Sequence, residues 1–264
     1  MDLQLKGKKV FISGSTAGIG FGVAKAFLRE GAEVYINGRS DASVSQAMAR
    51  LEAFGEAAHI KGLVADFADK SSLELLLPQL PEIDILINNV GVYSSQSFFE
   101  TSDAEWQRQY EVNVMSGVKL SRHCLPKMLH KNWGRILFVS SECASLVPAD
   151  LIAYSTTKAA LLAISRGLAQ LCQGSGVTVN AVIPGSTMTE GAQAFFADLA
   201  EKENKSVSQA EVDFFRDIRT SSLLQRFAKV EEVANSMVYF SSPLAAATNG
   251  AAIKLDGGSM GGII

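Results

Sequence analysis

The sequence predicts an α/β fold, built on a doubly wound and mostly parallel sheet with helices on both faces. Two observations carry that prediction. Short apolar runs without clean alternation recur along the chain, which is the pattern of strands buried on both faces. Longer segments of helical periodicity separate them, so each strand reaches the next through a right-handed crossover.

The first strand, Val10–Ser13, runs into the turn Ser13-Gly14-Ser15-Thr16-Ala17-Gly18-Ile19-Gly20, which opens a helix over Gly20–Glu30. Glycines here permit a tight turn and a close backbone approach to a pyrophosphate. The helix N-terminus adds amide donors and partial positive charge. The spacing is G-x-x-x-G-x-G, and its place between the first strand and first helix favours phosphate binding over a purely structural turn. The second strand, Val34–Asn37, ends in Gly38-Arg39-Ser40, where the adenosine ribose of a dinucleotide would lie. No acid stands at that tip to accept from a 2′-hydroxyl, whereas Arg39 suits a 2′-phosphate. NADP(H) is therefore preferred, with NAD(H) the alternative. Asp41 is expected at the cap of the next helix, Ser43–Phe54.

The third strand, Ile60–Ala65, leads to Asp66-Phe67, placed to meet the edge and face of an adenine, and then to a helix over Ser71–Leu77. The fourth strand, Ile83–Ile87, ends in Asn88-Asn89-Val90-Gly91. Asparagines at a buried strand end tie neighbouring strands together, and a glycine there admits a cofactor. A long helix is expected over Asp103–His130, with Asn113 inside it. A mid-helix asparagine costs helix propensity, which points to a structural or water-holding role.

The fifth strand, Arg135–Ser140, ends at Ser140-Ser141, whose hydroxyls suit a substrate oxygen. The helix over Tyr154–Cys172 follows, and Tyr154 and Lys158 share one of its faces a turn apart. A phenol with a pKa near 10 is a poor acid–base catalyst at neutral pH. A neighbouring ammonium and an oxidised nicotinamide are expected to lower it toward the working range.

After the sixth strand, Val177–Ile183, the stretch from Pro184 to Lys229 shows no evident strand. It holds two helical patterns, Gly191–Lys202 and Gln209–Arg219, carrying the pairs Phe195/Phe196 and Phe214/Phe215. Those rings either line an apolar pocket or dock the two helices. An excursion this long, leaving the C-terminal end of a strand, reads as a substrate lid over about 186–228. A helix over Val230–Phe240 and a strand over Ala251–Leu255 complete the pattern.

At 264 residues, one domain over 1–264 is expected. The net charge of −3, with no basic run, disfavours nucleic acid and anionic membranes as partners. The polar Met1–Lys9 segment lacks the form of a signal peptide, and no apolar run reaches the roughly 20 residues of a bilayer span. Cys124, Cys143 and Cys172 read as small buried hydrophobes in a reducing, cytoplasmic setting. His59, His123 and His130 have no metal-site spacing, and Trp106 and Trp133 read as packing anchors.

Jointly, these residues resemble the short-chain dehydrogenase/reductase family from Leu5 to about Gly258, with a likeness to its 3-oxoacyl-carrier-protein reductase members. The resemblance implies a Rossmann-type seven-stranded sheet and a catalytic set of four. Tyr154 would be the acid–base, Lys158 would lower its pKa and hold the nicotinamide ribose, Ser141 would orient the substrate, and Asn113 would hold a relay water. The implied cofactor contacts are Gly14, Ser15, Thr16, Gly18, Ile19, Gly20, Arg39, Asp66, Phe67, Asn89, Val90 and Gly91, with Tyr154 and Lys158. Pro184, Gly185, Thr187 and Thr189 would border the nicotinamide, and Asp256-Gly257-Gly258 matches the closing signature. Three positions depart from the family pattern: Val90 for alanine, Thr187 for a branched aliphatic, and Ala17 where NADP users often carry a basic residue. The expected activity is an NADP(H)-dependent oxidoreductase acting on a small-molecule carbonyl or alcohol, such as a moderately hydrophobic ketone or a 3-oxoacyl thioester. The competing reading is a non-catalytic dinucleotide-binding regulator or scaffold. Enoyl reduction is disfavoured by the Tyr–Lys spacing. The resemblance also implies a homotetramer or homodimer packed through the two long helices, where Ala159, Ala160 and Ala163 permit close contact.

Overall fold

A computed structural model describes residues 1–262; the last two residues of the expected 1–264 domain lie outside the described residues. The chain folds in the order β1 (Lys9–Ile12), α1 (Gly18–Arg29), β2 (Glu33–Gly38), α2 (Asp41–Leu51), β3 (Ile60–Val64), α3 (Lys70–Leu76) and β4 (Ile85–Asn88). It continues through α4 (Asp103–Tyr110), α5 (Ser116–His130), β5 (Gly134–Val139), the short α6 (Cys143–Leu146), α7 (Ile152–Leu171) and β6 (Val177–Pro184). The excursion holds β7 (Thr187–Met188), α8 (Glu190–Lys202), α9 (Val207–Asp217) and β8 (Ala228–Lys229), followed by α10 (Val230–Phe240) and β9 (Ala252–Leu255).

Seven strands form one sheet in the order β3-β2-β1-β4-β5-β6-β9, and every neighbouring pair is parallel. The fold is the Rossmann-type sheet that the sequence predicts. Side chains alternate between two cores, as the twofold strand period requires. Val10 and Ile12 of β1, Ile85 and Ile87 of β4, and Leu137 and Val139 of β5 face the core covered by α1, α2 and α10. Phe11, Leu86, Ile136 and Phe138 face the other, covered by α3, α5 and α7. The central strands are buried throughout, whereas the edge strand β9 has no buried residue. Unbroken apolar runs in the middle and weaker ones at the edges follow from that difference.

The structure corrects four expectations. The long helix over Asp103–His130 is interrupted by a π turn, Glu111–Met115, between α4 and α5. The excursion contains strands after all: β7 and β8, two residues each, pair in parallel and close its base. They are too short to leave a periodic signal. Ser40, not Asp41, caps α2, its hydroxyl accepting the Ser43 N–H at 3.3 Å, and Asp41 sits in the first turn. The helix carrying Tyr154 begins two residues early, at Ile152.

The paired phenylalanines divide between the two roles foreseen for them. Phe196 and Phe215 are buried with Ala200, Ala210 and Phe227 in a third, separate core. Phe214 stacks on Phe227 with ring centroids 5.2 Å apart. Phe195 is 60% exposed and faces a pocket.

Candidate active site

The sheet order reverses direction between β1 and β4, and ligands of open α/β sheets bind outside the carboxyl ends at such a point. Both turns at that crevice are tied together. The Ser13 hydroxyl accepts the N–H groups of Asn89 and Val90 at 3.0 and 3.1 Å, and the Asn89 amide donates to the Ser13 and Gly14 carbonyls at 3.0 and 2.8 Å. The Gly14 N–H donates to Asn37 Oδ1 at 3.0 Å. Gly14 has φ +62, and a Cβ there would lie 3.0 Å from Val90 Cα. A Cβ on Gly20 would meet Gly14 O at 2.5 Å, so the turn and the start of α1 pack as only glycine allows.

A cavity of about 490 Å³ runs over this floor. Gly14, Thr16, Arg39, Asp66, Phe67, Asn89, Val90 and Gly91 all line it. Arg39 is exposed at the tip of β2, and no acid stands beside it on that strand end. Arg108 also lines the cavity, although its guanidinium is held by Glu105 at 2.7 Å. Two of the expected contact residues make bonds within the protein. Ser15 is fully buried, its hydroxyl donating to Ile12 O at 2.7 Å and accepting the Asn37 N–H at 2.9 Å, so its side chain joins β1 to β2. The Gly18 N–H is taken by the Glu190 carboxylate of α8 at 2.9 Å, which Arg50 also contacts at 3.3 Å.

A second cavity, of about 320 Å³, is lined by Ile19, Asn89, Gly91, Ser141, Tyr154, Lys158, Pro184, Gly185 and Thr189. Thr187 lies in the third, of about 460 Å³, which shares Ile19, Tyr93, Ser141, Tyr154, Gly185 and Thr189 with the second and adds Phe195, Phe196 and Phe227. The two meet at Ser141 and Tyr154.

The serine pair separates cleanly. Ser140 is buried, and its hydroxyl donates to Lys158 O at 2.8 Å, which fastens β5 to α7. Ser140 borders only the second cavity, whereas Ser141 lines both the second and the third, and its hydroxyl accepts the Cys143 N–H at 3.2 Å. Lys158 is 3% exposed, donates to Val139 O at 2.9 Å and lies 5.5 Å from the Tyr154 ring centroid. Burial pushes its pKa down to about 8. The Tyr154 phenol moves the other way. Burial, with the Cys143 thiol beside it, pushes its pKa well above the usual value, and the Ser141 hydroxyl offsets only part of the rise. Desolvation opposes charge on both groups and is the largest influence on each.

Asn113 sits in the π turn with its side chain bonded to two segments. Its Oδ1 accepts the Val92 N–H at 2.7 Å, and its Nδ2 donates to Val92 O and Thr157 Oγ1, both at 2.9 Å. It clamps the turn after β4 to α7.

A family model described as short chain dehydrogenase matches residues 8–200. The chain belongs to the short-chain dehydrogenase family. An uncharacterised oxidoreductase of Bacillus subtilis, YvaG, is 42% identical to this dehydrogenase over 98% of both chains. The 3-oxoacyl-[acyl-carrier-protein] reductase FabG of Aquifex aeolicus is 29% identical, covering 98% of this chain and 99% of its own. The crystal structure of L-sorbose reductase from Gluconobacter frateurii, in complex with NADPH and L-sorbose, superposes with a TM-score of 0.92 at 28% identity, covering all of both chains. This dehydrogenase is accordingly an oxidoreductase of the CH–OH/C=O type that uses a nicotinamide dinucleotide. Among the described residues, no helix is long and apolar enough to cross a membrane, and no cluster of three potential metal ligands occurs.

Tyr93, Glu142 and Glu190 went unnoticed in the sequence. Tyr93 is 69% exposed and meets Tyr154 edge-on at 5.8 Å. No periodicity marks these three. The partners of both glutamates lie far away in sequence, so only the folded chain brings them to the site.

Proposed function

We propose that the chain is an NADP(H)-dependent carbonyl reductase, one catalytic unit over 1–264 with a lid at about 186–228, acting on a moderately hydrophobic ketone or a 3-oxoacyl thioester. The observation that carries this reading is that Ser141 and Tyr154 stand where the second and third cavities join, with Lys158 beside Tyr154 in the second. The apolar rings of Phe195, Phe196 and Phe227 in the substrate cavity support the hydrophobic ketone, and the likeness to FabG supports the thioester. Arg39, exposed at the ribose end of the dinucleotide cavity without an acid beside it, supports NADP(H) over NAD(H). The NADPH bound to the related L-sorbose reductase agrees with that choice.

The nicotinamide, when bound, supplies or accepts the hydride. Ser141 orients the carbonyl oxygen, and Tyr154, kept protonated by burial, gives it a proton during reduction. Lys158 is still mostly protonated at neutral pH and stabilises the phenolate left behind. Asn113, whose Oδ1 accepts one hydrogen bond and keeps a second lone pair, would hold the relay water. Three cysteines, all buried and free, support a reducing, cytoplasmic setting. An apolar groove of about 500 Å³ between α5 and α7, lined by Leu125, Leu129, Ile164, Leu168 and Leu171 among others, supports a homodimer or homotetramer.

Fluorescence titration with NADPH and NADH tests the cofactor. NADPH should bind more tightly, and Arg39→Ala should weaken it by about 10- to 100-fold while leaving NADH nearly unchanged. Equal loss for both nucleotides would contradict the 2′-phosphate role. Tyr154→Phe separates an enzyme from a non-catalytic binder. Turnover of ketones should fall by at least about 100-fold with NADPH affinity retained.

A further inference from the structure

The substrate cavity has an electrostatic character that the reaction does not require. Among the described residues lining it there is no Lys, Arg or His, and one carboxylate, Glu142, stands directly after Ser141. Glu142 is 3% exposed. Its Oε1 accepts from Arg219 Nε at 2.8 Å and from the Ser186 hydroxyl at 3.2 Å, while its Oε2 is buried without a hydrogen-bond partner. The Arg219 Nε is engaged by this carboxylate, and Arg219 does not line the cavity. The remaining nearby cation, Lys158, lines the cofactor cavity and is bonded to Val139 O. The rest of the wall is uncharged, a mixture of polar, aliphatic and aromatic residues, with Tyr93 and Phe195 exposing rings into it.

We infer that Glu142 makes this cavity selective for uncharged ketones and alcohols and excludes substrates that carry a carboxylate near the reacting carbon. This rests on the carbonyl-reductase reading given above. An anionic substrate would lose its hydration beside a buried carboxylate, with no cation among the described residues lining the cavity to replace the lost water. An uncharged ketone or ester bears no such cost, and the aromatic rings favour it. Glu142 is a specificity-determining residue here, acting through its charge and not through contact with the reacting atoms.

Ethyl acetoacetate and acetoacetate share the 3-oxo group and differ by one charge, so they isolate the effect. With the NADPH-saturated enzyme, kcat/KM should favour the ester by about 100-fold. Glu142→Gln leaves Arg219 uncompensated and should lower that ratio by about tenfold through a gain with the acid. Arg219→Gln leaves Glu142 uncompensated and should raise the ratio. A merely structural role would slow both substrates and would not move the two variants in opposite directions. Thermal melting with NADPH checks that each variant folds, and Arg219→Gln carries the test alone if Glu142→Gln does not. Equal use of acid and ester by the parent enzyme, or a ratio unmoved by the folded variants, would overturn the inference. Failure of the parent enzyme to reduce either compound would count against the carbonyl-reductase reading itself, and the inference would fall with it.

Discussion

At the scale of single residues, the site is governed by desolvation more than by pairing. Tyr154 and Lys158 stand a turn apart, as their spacing requires, yet burial pushes each toward its neutral form. For Lys158 this has a measurable consequence in stability. Its folded pKa of about 8 lies below the unfolded value of about 10.4. The unfolded chain therefore holds the extra proton between those pH values, and stability rises with pH across that window. The destabilisation is complete below about pH 8. In apo protein at pH 7, Lys158→Met should be more stable than the parent by up to about 3 kcal/mol, less the lost bond to Val139. The gap should close between pH 8 and 10, and the variant should be inactive throughout. Urea midpoints of both proteins at pH 7 and pH 10 measure this, and a gap that does not change with pH would refute it.

At the scale of elements, the excursion between β6 and α10 is a small structure in its own right. Helices α8 and α9 pack on each other through Phe196, Phe215 and Phe227, and this core is separate from the two that sandwich the sheet. Its base is held by the short β7–β8 pair, and its flank by Glu190 on Gly18 and Arg219 on Glu142. Truncating Phe196, which is 4% exposed, should cost about 3–5 kcal/mol locally. Because the cluster stands apart, the loss should open the excursion before the sheet. Limited proteolysis of Phe196→Ala should cut first between residues 190 and 228, with the sheet's main unfolding transition retained. Simultaneous loss of both would mean that the excursion and the sheet unfold as one unit.

At the scale of the whole molecule, the parallel sheet brings the turns after β1, β2, β4, β5 and β6 to one edge, and the exposed groove between α5 and α7 lies on a helical face of the sheet. If two copies meet at that groove, Leu171, which is 71% exposed, becomes part of the interface. Leu171→Arg should then convert a dimer or tetramer to a smaller species on size-exclusion chromatography, with little change in melting within the protomer. An elution volume identical to the parent's would place any interface elsewhere.

The sequence by itself determined the sheet, the alternation of its elements and the chemical residues at its carboxyl edge. Those depend on local periodicity and fixed spacing, as in the runs around Ile85 and Ile136 or the turn from Tyr154 to Lys158, and such patterns survive in one dimension. Tertiary structure decided that Ser141 lines both cavities while Ser140 fastens β5 to α7, that Ser15 joins strands and that Gly18 is held by Glu190. It also set the direction in which Tyr154 titrates and paired Glu142 with Arg219, 77 positions away. Each of these turns on solvent exclusion or on a contact between distant segments, and neither quantity exists until the chain has folded around it.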